Sequence, residues 1–317
     1  MKRTIPLILL LVILFFCDIL FGAISLSFND IFTSTGVYHQ IFMNLRLPRA
    51  ITAIIAGISL SVSGLMMQTL FRNPLAGPYI LGVSSGATLG VGTLVLLGSI
   101  IGFTATSTAT VFAAILGASI ILLLVLAVSF KVESNVSLLI IGMMLGSVAG
   151  ALVNLMQNFA NPDSLKLFIV WSLGSLSAVG WHEMSVVVPV FVLGLIMSIL
   201  LVKPLNGLML GENYAKGLGI NVGQTRLIIV VSTGLLAGVV TAFCGPIAFI
   251  GVAVPHIARG LYKTSNHRTT LPASALIGAN LMLLCDTIAN LFTYPLPIST
   301  ISALFGAPII IWILLKK

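Results

Sequence analysis

Few residues of this 317-residue sequence have the types and spacing that chemistry requires. Two carboxylates, Asp18 and Asp286, lie inside apolar runs, where an ionisable group is a candidate for function by default. Either one is a candidate proton carrier of an ion-coupled transporter. Both lie toward the end of their runs and neither has a basic residue at helical spacing, so a structural role is the alternative interpretation.

The sequence lacks the groupings that catalysis or cofactor binding needs. It contains no nucleophile paired with a base, no metal-ligand cluster and no GxxxxGK[ST] phosphate loop. The three cysteines are scattered through apolar runs, which favours small core residues over a disulfide or a metal site. We therefore expect that the chain is not an enzyme and binds no cofactor itself. If ATP drives this protein, another chain binds the ATP.

Two polar segments indicate docking. The RLPR run contains Arg46 and Arg49, and guanidinium groups pair well with carboxylates, so an acidic partner is one interpretation and interfacial snorkelling the other. The stretch Lys203–Arg226 is longer than an ordinary helix connection. Within it, residues 213–218 are expected to form a short helix that ends at Gly219. An ordered loop of this kind indicates a docking surface.

The composition indicates that these segments belong to a membrane protein. Apolar residues make up 58% of the chain and charged residues 7%, against about 45–50% and about 25% in soluble domains. A soluble enzyme, a secreted domain and a disordered chain are thereby excluded. Solid apolar runs such as 115–128 favour helices over the alternating strands of a β-barrel. The net charge of +8 does not indicate nucleic acid, because the basic residues stand in the gaps between the apolar runs.

The apolar runs predict an all-α integral membrane protein with about ten transmembrane helices. The first run follows Lys2 and Arg3 without a persuasive cleavage site, so we expect it to remain as the first span. The eighth run is short. The predicted spans cover residues 5–26, 49–69, 82–100, 107–130, 136–158, 184–202, 226–244, 246–262, 271–289 and 299–315.

The distribution of basic residues predicts the orientation. Ten spans put both termini on one side, and the positive-inside rule places that side in the cytoplasm. The inner segments then hold all of the 15 lysines and arginines except Arg46, Arg49 and Lys166.

Two further patterns concern the spans themselves. The stretch Ser63–Ala87 combines prolines, glycines and polar residues, so a helix must stop and restart there, as broken helices that line cavities do. Small residues recur every three or four positions in two spans and predict close helix packing. They are Gly57, Ser61 and Gly64 in one span and Gly142, Gly146 and Gly150 in the other.

Five segments, taken in order, resemble the FecCD-type permeases, the membrane subunits of ABC importers for ferric siderophores, haem and cobalamin. They are RLPR, SGLMMQTLFRNPLAGPYILGVSSGA, GENYAKGLG, GPIAFIGVAVPHIAR and a C-terminal GAP. The resemblance implies ten helices per subunit in a single permease domain over residues 1–317, with a cytoplasmic coupling loop at 203–226, in the bacterial cytoplasmic (inner) membrane.

The resemblance also implies partners. They are a second permease subunit in a homo- or heterodimer, two ATP-binding subunits that hold ATP and magnesium, and an extracytoplasmic substrate-binding protein. Membrane lipid surrounds the complex, and nucleic acid is not expected. The implied function is import of a metal chelate, with a ferric siderophore ahead of haem and cobalamin. An ion-coupled secondary transporter that uses Asp286 or Asp18 is the alternative.

Site residues follow from the resemblance, position by position. Arg46 and Arg49 would receive acidic residues of the binding protein, while Asn290 stands where the family has a third docking arginine. Ser299 stands where the family favours glycine, and the fifth and tenth spans would line the path. The residues implied for contact with the ATPase are Gly211, Glu212, Ala215, Gly217, Leu218 and Gly219, and those near the cytoplasmic gate are Asn73, Leu75, Ser134 and Asn135.

Overall fold

The computed structural model describes residues 3–22, 36–98, 106–132, 134–292 and 296–315, and these ranges fold into helices joined by short connections. Two of the helices, Val37–Leu70 and Val83–Leu97, each contain one π-helical stretch. In chain order the helices are α1 (Thr4–Leu20), α2 (Val37–Leu70), α3 (Val83–Leu97), α4 (Ser107–Ser129), α5 (Asn135–Phe159), α6 (Pro162–Ser172), α7 (Trp181–Leu200), α8 (Val202–Leu210), α9 (Glu212–Gly217), α10 (Val222–Cys244), α11 (Ile250–Tyr262), α12 (His267–Asn290) and α13 (Ile298–Leu315).

Six helices in the described ranges are long and apolar enough to cross a membrane, namely α2, α4, α5, α7, α10 and α12. Helices α1, α3 and α13 are shorter and apolar, and α11 has only 13 residues. Each predicted span coincides with one of these ten helices, so the all-α prediction is confirmed, whereas the number of crossings and the side of the termini stay predictions. Parts of the first and third predicted spans, residues 23–26 and 99–100, lie outside the described residues.

The predicted loop at 203–226 is largely helical. Helices α8 and α9 occupy most of it, and α10 begins at Val222 rather than at residue 226. The earlier start of α10 has a local cause, since the side chain of Asn221 accepts a hydrogen bond from the backbone N–H of Gln224 at 3.0 Å and so caps the helix. Arg226 therefore lies inside α10 and not at the end of a loop.

Three helices form the centre of the bundle and three others form its apolar exterior. In the most apolar 18-residue stretch of each helix, 83%, 72% and 61% of the residues of α2, α10 and α12 are buried within the chain. The corresponding share is 22% in each of α4, α5 and α7. The outer helices thus present apolar faces that lipid or another protein chain must cover. A bundle with a buried centre of this size holds the polar residues of α2 and α12 away from lipid.

The small residues of α2 allow its neighbours to approach closely. A Cβ atom at Gly64 would lie 1.8 Å from the carbonyl oxygen of Gly251 in α11, and one at Gly57 would lie 2.2 Å from that of Gly278 in α12. Glycine is therefore required at both crossings. The glycines of α5 differ from one another in their surroundings. Gly142 packs against the backbone of Ile80, whereas a Cβ atom at Gly150 would meet nothing within 4 Å.

The break predicted within Ser63–Ala87 is present. Helix α2 ends at Leu70, a 3-10 turn covers Pro78–Leu81, and α3 begins after Gly82, whose φ of +73° favours glycine. The hydroxyl of Tyr79 donates to the carbonyl of Ile247, in the connection between α10 and α11. Tyr79 thus joins the break between α2 and α3 to the connection between α10 and α11. Its hydroxyl satisfies the carbonyl of Ile247, which lies outside any helix.

Candidate functional site

The predicted site residues lie in two groups, one around Arg46 and Arg49 in the first half of α2 and one at its C-terminal end, where Asn135 donates to the carbonyl of Leu70. At a rise of 1.5 Å per residue, the segment from Arg49 to Leu70 spans about 30 Å, the thickness of a bilayer core. We call Arg46, Arg49, Asp286 and Asn290 the arginine cluster, and Asn135, Glu212 and Arg226 the coupling cluster.

Arg49 and Asp286 form the centre of the arginine cluster. The guanidinium donates from Nη2 to Oδ1 at 2.7 Å and from Nε to Oδ2 at 2.9 Å, in the forked geometry that suits a carboxylate. The Asp286 side chain is 1% exposed and that of Arg49 is 18% exposed. Asp286 has no basic residue at helical spacing along α12, as the sequence indicated, and its partner comes instead from another helix.

Arg46 and Asn290 flank this ion pair. Arg46 donates from Nη1 to the carbonyls of Ile19 and Phe21 at the end of α1, at 2.5 and 3.1 Å. Those carbonyls have no acceptor role within the helix, so a cation is favourable there. Asn290 donates from Nδ2 to the main-chain oxygen of Asp286 at 2.9 Å. The three residues predicted for docking are therefore brought to one end of the bundle, and their role in docking stays a prediction.

Asp18 is the second carboxylate inside an apolar helix. It is 5% exposed, and its Oδ1 accepts a hydrogen bond of 3.3 Å from the hydroxyl of Thr287, the residue after Asp286. Asp18 therefore lies beside the arginine cluster and helps to hold α1 against α12.

Helix α9 presents an exposed surface next to a buried anchor. Ala215 is fully buried, whereas Tyr214 and Leu218 are 57% and 58% exposed. A Cβ atom at Gly217 would meet nothing within 4 Å, and Gly211 and Gly219 adopt φ of +123° and +78° on either side of the helix. The structure contains the predicted short helix before Gly219. It covers Glu212–Gly217 rather than residues 213–218.

Glu212 connects α9 to the rest of the chain. Its Oε1 accepts a hydrogen bond from Nδ2 of Asn135, the first residue of α5, and lies 3.7 Å from Nη2 of Arg226. Nη1 of Arg226 donates to the carbonyl of Val132, in the connection between α4 and α5, at 2.8 Å. The coupling cluster thus brings together a residue predicted for ATPase contact, Glu212, and a residue predicted for the gate, Asn135.

The sequence analysis did not predict the contacts of Arg226 with Glu212 and Val132. It counted Arg226 only among the basic residues on the cytoplasmic side. A cation near the start of a helix is disfavoured by the helix dipole, so an arginine there requires acceptors from elsewhere in the fold. That signal was present in the sequence.

The other predicted gate residues occupy local structural positions. Asn73 Oδ1 accepts from the N–H of Leu75 at 2.9 Å, and Leu75 itself is 46% exposed. Ser134 caps α5 by accepting from the N–H of Ser137. His256 Nε2 lies 2.7 Å from the carbonyl of Pro74, so α11 holds the segment between Asn73 and Leu75 in place. Their role as a gate stays a prediction.

Buried polar contacts join α2 to α8, α11 and α12 at the same end of the bundle. Gln68 accepts from Arg259 and donates to the carbonyl of Val252. His267 lies 2.9 Å from Thr69 through Nε2 and 2.9 Å from Asn206 through Nδ1. These contacts fix α8, which directly precedes α9, against the central helices.

A cavity of about 460 Å³ lies between α4, α6, α7 and α10, away from the predicted gate residues. Its walls are mainly apolar and include Val111, Ile115, Val170, Trp171, Val186 and Phe243. The helices predicted to line the path, α5 and α13, instead have exposed side chains such as Met144, Leu155 and Leu304. Ser299, where the family favours glycine, donates to the carbonyl of Leu173 at 2.5 Å.

Comparisons with known proteins agree with these features. The sequence profile of the FecCD transport family matches residues 10–316. The hemin transport system permease protein HmuU of Yersinia pestis is 35% identical, over 98% of this chain and 94% of its own length. The vitamin B12 import system permease protein BtuC of Citrobacter koseri is 37% identical, over 98% and 92%.

The fold has a close structural counterpart as well. A solved structure of a metal-chelate type ABC transporter in an inward-facing conformation matches with a TM-score of 0.89 and 33% identity, over 100% of this chain and 99% of that one. The family implied by the five sequence segments is therefore confirmed, and the relatives are permeases rather than enzymes. This chain belongs to the FecCD transport family.

Proposed function

We propose that this chain is the permease subunit of a binding-protein-dependent ABC importer for a metal chelate. The observation that carries the proposal is the match of residues 10–316 to the FecCD transport family. The relatives named above carry hemin and vitamin B12. A ferric siderophore is our first candidate for the cargo, because such members are the commonest in the family, and haem and cobalamin are the other two.

The proposed topology has ten spans with both termini in the cytoplasm of a bacterium, in the inner membrane. In this topology the arginine cluster and the coupling cluster lie on opposite sides of the membrane and contact different partners. The arginine cluster would face the binding protein, and the coupling cluster would face the ATPase. This assignment agrees with the excess of lysine and arginine on the side of α9.

The ATPase would seat α9 in a surface cleft. Tyr214 on α9 and Leu218, the residue that follows α9, have exposed apolar side chains. Ala215 anchors the helix, and Gly217 leaves space beside them. An exposed apolar patch on an anchored helix is typical of a docking element. ATP and magnesium would bind to the partner, and this chain would make no bond change.

A second permease subunit would cover the apolar exterior of α5 and α13. Two such subunits would enclose a path for the chelate between them, and the neutral polar side chains of Asn154, Gln157 and Asn158 on α5 suit a large, rigid cargo.

The ion-coupled alternative finds no support in the arginine cluster. Asp286 is neutralised by Arg49 within the bundle, and an intramembrane carboxylate with a bound guanidinium is suited to structure rather than to proton transfer.

Uptake measurements test the proposed cargo. Cells with and without this gene are supplied in parallel with a labelled ferric siderophore, labelled haem and labelled cobalamin. We expect the deletion to abolish the uptake of one chelate and to spare the other two. Equal uptake of all three by both strains would contradict the proposal for these cargos.

A further inference from the structure

The coupling cluster connects two elements that the proposed function requires to move together. Helix α9 has exposed apolar side chains suited to an ATPase, and α5 is a predicted path helix. In the part of the chain that the structure describes, Glu212 is the side chain of α9 that bonds to α5, through Asn135. Asn135 is the first residue of α5, so a force on Glu212 acts on the end of that helix.

Arg226 provides a second connection to the same segment. It pairs with Glu212 at 3.7 Å and donates to the carbonyl of Val132, three residues before Asn135. Arg226 is 7% exposed, so water does not compete strongly for its contacts. The carboxylate of Glu212 is therefore held from two sides, and both holders are fixed to the connection between α4 and α5.

Asn135 also reaches the gate segment. Its Nδ2 donates to the carbonyl of Leu70 at 3.0 Å, and Leu70 precedes the segment that contains Asn73 and Leu75. The last carbonyls of a helix lack partners within it, so this hydrogen bond stabilises the end of α2. The amide of Asn135, at the first residue of the predicted path helix, therefore contacts both α9 and the end of α2.

We propose that Asn135, Glu212 and Arg226 form a polar strut that transmits the movement of α9 to α5 and to the end of α2 during the transport cycle. The inference rests on the proposed function and adds positioning residues to it. The strut stays closed as the two helices move, so α9 and α5 travel as one body at this end. Loss of the strut uncouples ATP hydrolysis from transport without removing the ATPase.

The test uses the full chain purified with its ATPase and reconstituted in lipid vesicles with the binding protein and the chelate that the uptake measurement identifies. Asn135→Leu and Glu212→Leu remove the strut. We expect each variant to keep the ATPase and to hydrolyse ATP, while the chelate imported per ATP falls about tenfold, as the loss of a charge-assisted hydrogen bond implies. The double variant should fall no further than either single variant.

A matched control separates the strut from the general loss of a polar group. Gln224→Leu removes an exposed amide from the first turn of α10, close in sequence to Arg226, and should leave the import per ATP unchanged. The exchange of Asn135→Asp with Glu212→Gln keeps one carboxylate, one amide and one guanidinium in the cluster. The pair rebuilds the bond between positions 135 and 212 but not the donor to the carbonyl of Leu70. It should therefore restore part of the coupling that Asn135→Asp alone or Glu212→Gln alone removes.

Reversible cross-linking tests whether the strut stays closed. Asn135→Cys and Glu212→Cys are combined and joined by a short bis-methanethiosulfonate reagent, and each single variant receives the same reagent as a control. We expect the cross-link to restore import per ATP and a reducing agent to remove it again. A cross-link that stops transport would overturn the closed strut.

The failure of the strut differs from the failure of the proposed function. Unchanged import per ATP in both leucine variants, with a coupled wild type, would overturn the strut alone. Loss of the ATPase from those variants would also overturn it, because Glu212 would then act as a direct contact. A wild-type chain that carries no ATPase would overturn the proposed function and the strut with it.

Discussion

Arg49 and Asp286 lie 237 positions apart in the chain and form a forked salt bridge between α2 and α12. The carboxylate is nearly inaccessible and the guanidinium retains a small exposed edge. An arginine implied for docking is thus already engaged within its own subunit. Arg46 is held as well, by the carbonyls of Ile19 and Phe21, so both arginines predicted for docking already bind groups of their own chain.

Neutralising Asp286 should destabilise the bundle. Asp286→Asn leaves Arg49 without its counter-ion, and breaking one side of a buried ion pair costs about 3–5 kcal/mol. Thermal unfolding of the purified chain in detergent measures the effect. The paired variant Arg49→Gln with Asp286→Asn should be less destabilised than Asp286→Asn alone. Wild-type stability of Asp286→Asn together with lost uptake would point instead to proton transfer by Asp286.

Changes in the arginine cluster should alter the affinity for the binding protein in both directions. Arg46→Glu is expected to weaken binding about tenfold or more, since it places a negative charge opposite acidic residues. Asn290→Arg should strengthen binding, because it adds the family's third arginine. Titration of the binding protein onto the reconstituted permease gives both dissociation constants. Lys166→Glu, at an exposed site on α6, serves as the control and should have little effect.

The close crossing of α2 and α11 should not tolerate a methyl group. Gly64→Ala would place a carbon 1.8 Å from the carbonyl oxygen of Gly251, and a forced backbone shift of this kind costs about 1–3 kcal/mol or more. Gly150→Ala is the matched control, since the same change there meets open space. It should leave stability unchanged or raise it by up to about 1 kcal/mol through helix propensity. Equal unfolding temperatures for the two variants would refute the packing argument.

A bulky residue on α9 should prevent the ATPase from docking. Gly217→Trp fills the open space beside Tyr214 and Leu218, and we expect the amount of ATPase that co-purifies with the chain to fall several-fold. Gly260→Trp provides a control, because Gly260 in α11 also has nothing within 4 Å of a Cβ position. Full recovery of ATPase with Gly217→Trp would show that the cleft of the partner lies elsewhere.

Local features of the fold were predictable from the sequence. The break between α2 and α3 follows from glycine and proline, whose effects on the backbone depend on the residue itself. The short helix α9 with its stop at Gly219 was predictable for the same reason. The glycine rows also predicted close packing, although they could not show that Gly64 meets Gly251 while Gly150 meets nothing.

Pairings between distant helices were not predictable in this way. Asp286 had no basic residue at helical spacing, and its partner lies on a helix that the local pattern does not connect to α12. The same applies to Glu212, whose contacts with Asn135 and Arg226 depend on how α5, α9 and α10 converge. Such contacts depend on the packing of the whole bundle.

The dependence of uptake on ATP separates an ATP-driven importer from an ion-coupled transporter. Cells that express the chain are given the chelate that it carries, once with ATP depleted while the proton gradient is held and once with the gradient collapsed while ATP is held. We expect uptake to stop in the first condition and to continue in the second. Uptake that survives ATP depletion and stops with the gradient would contradict this expectation.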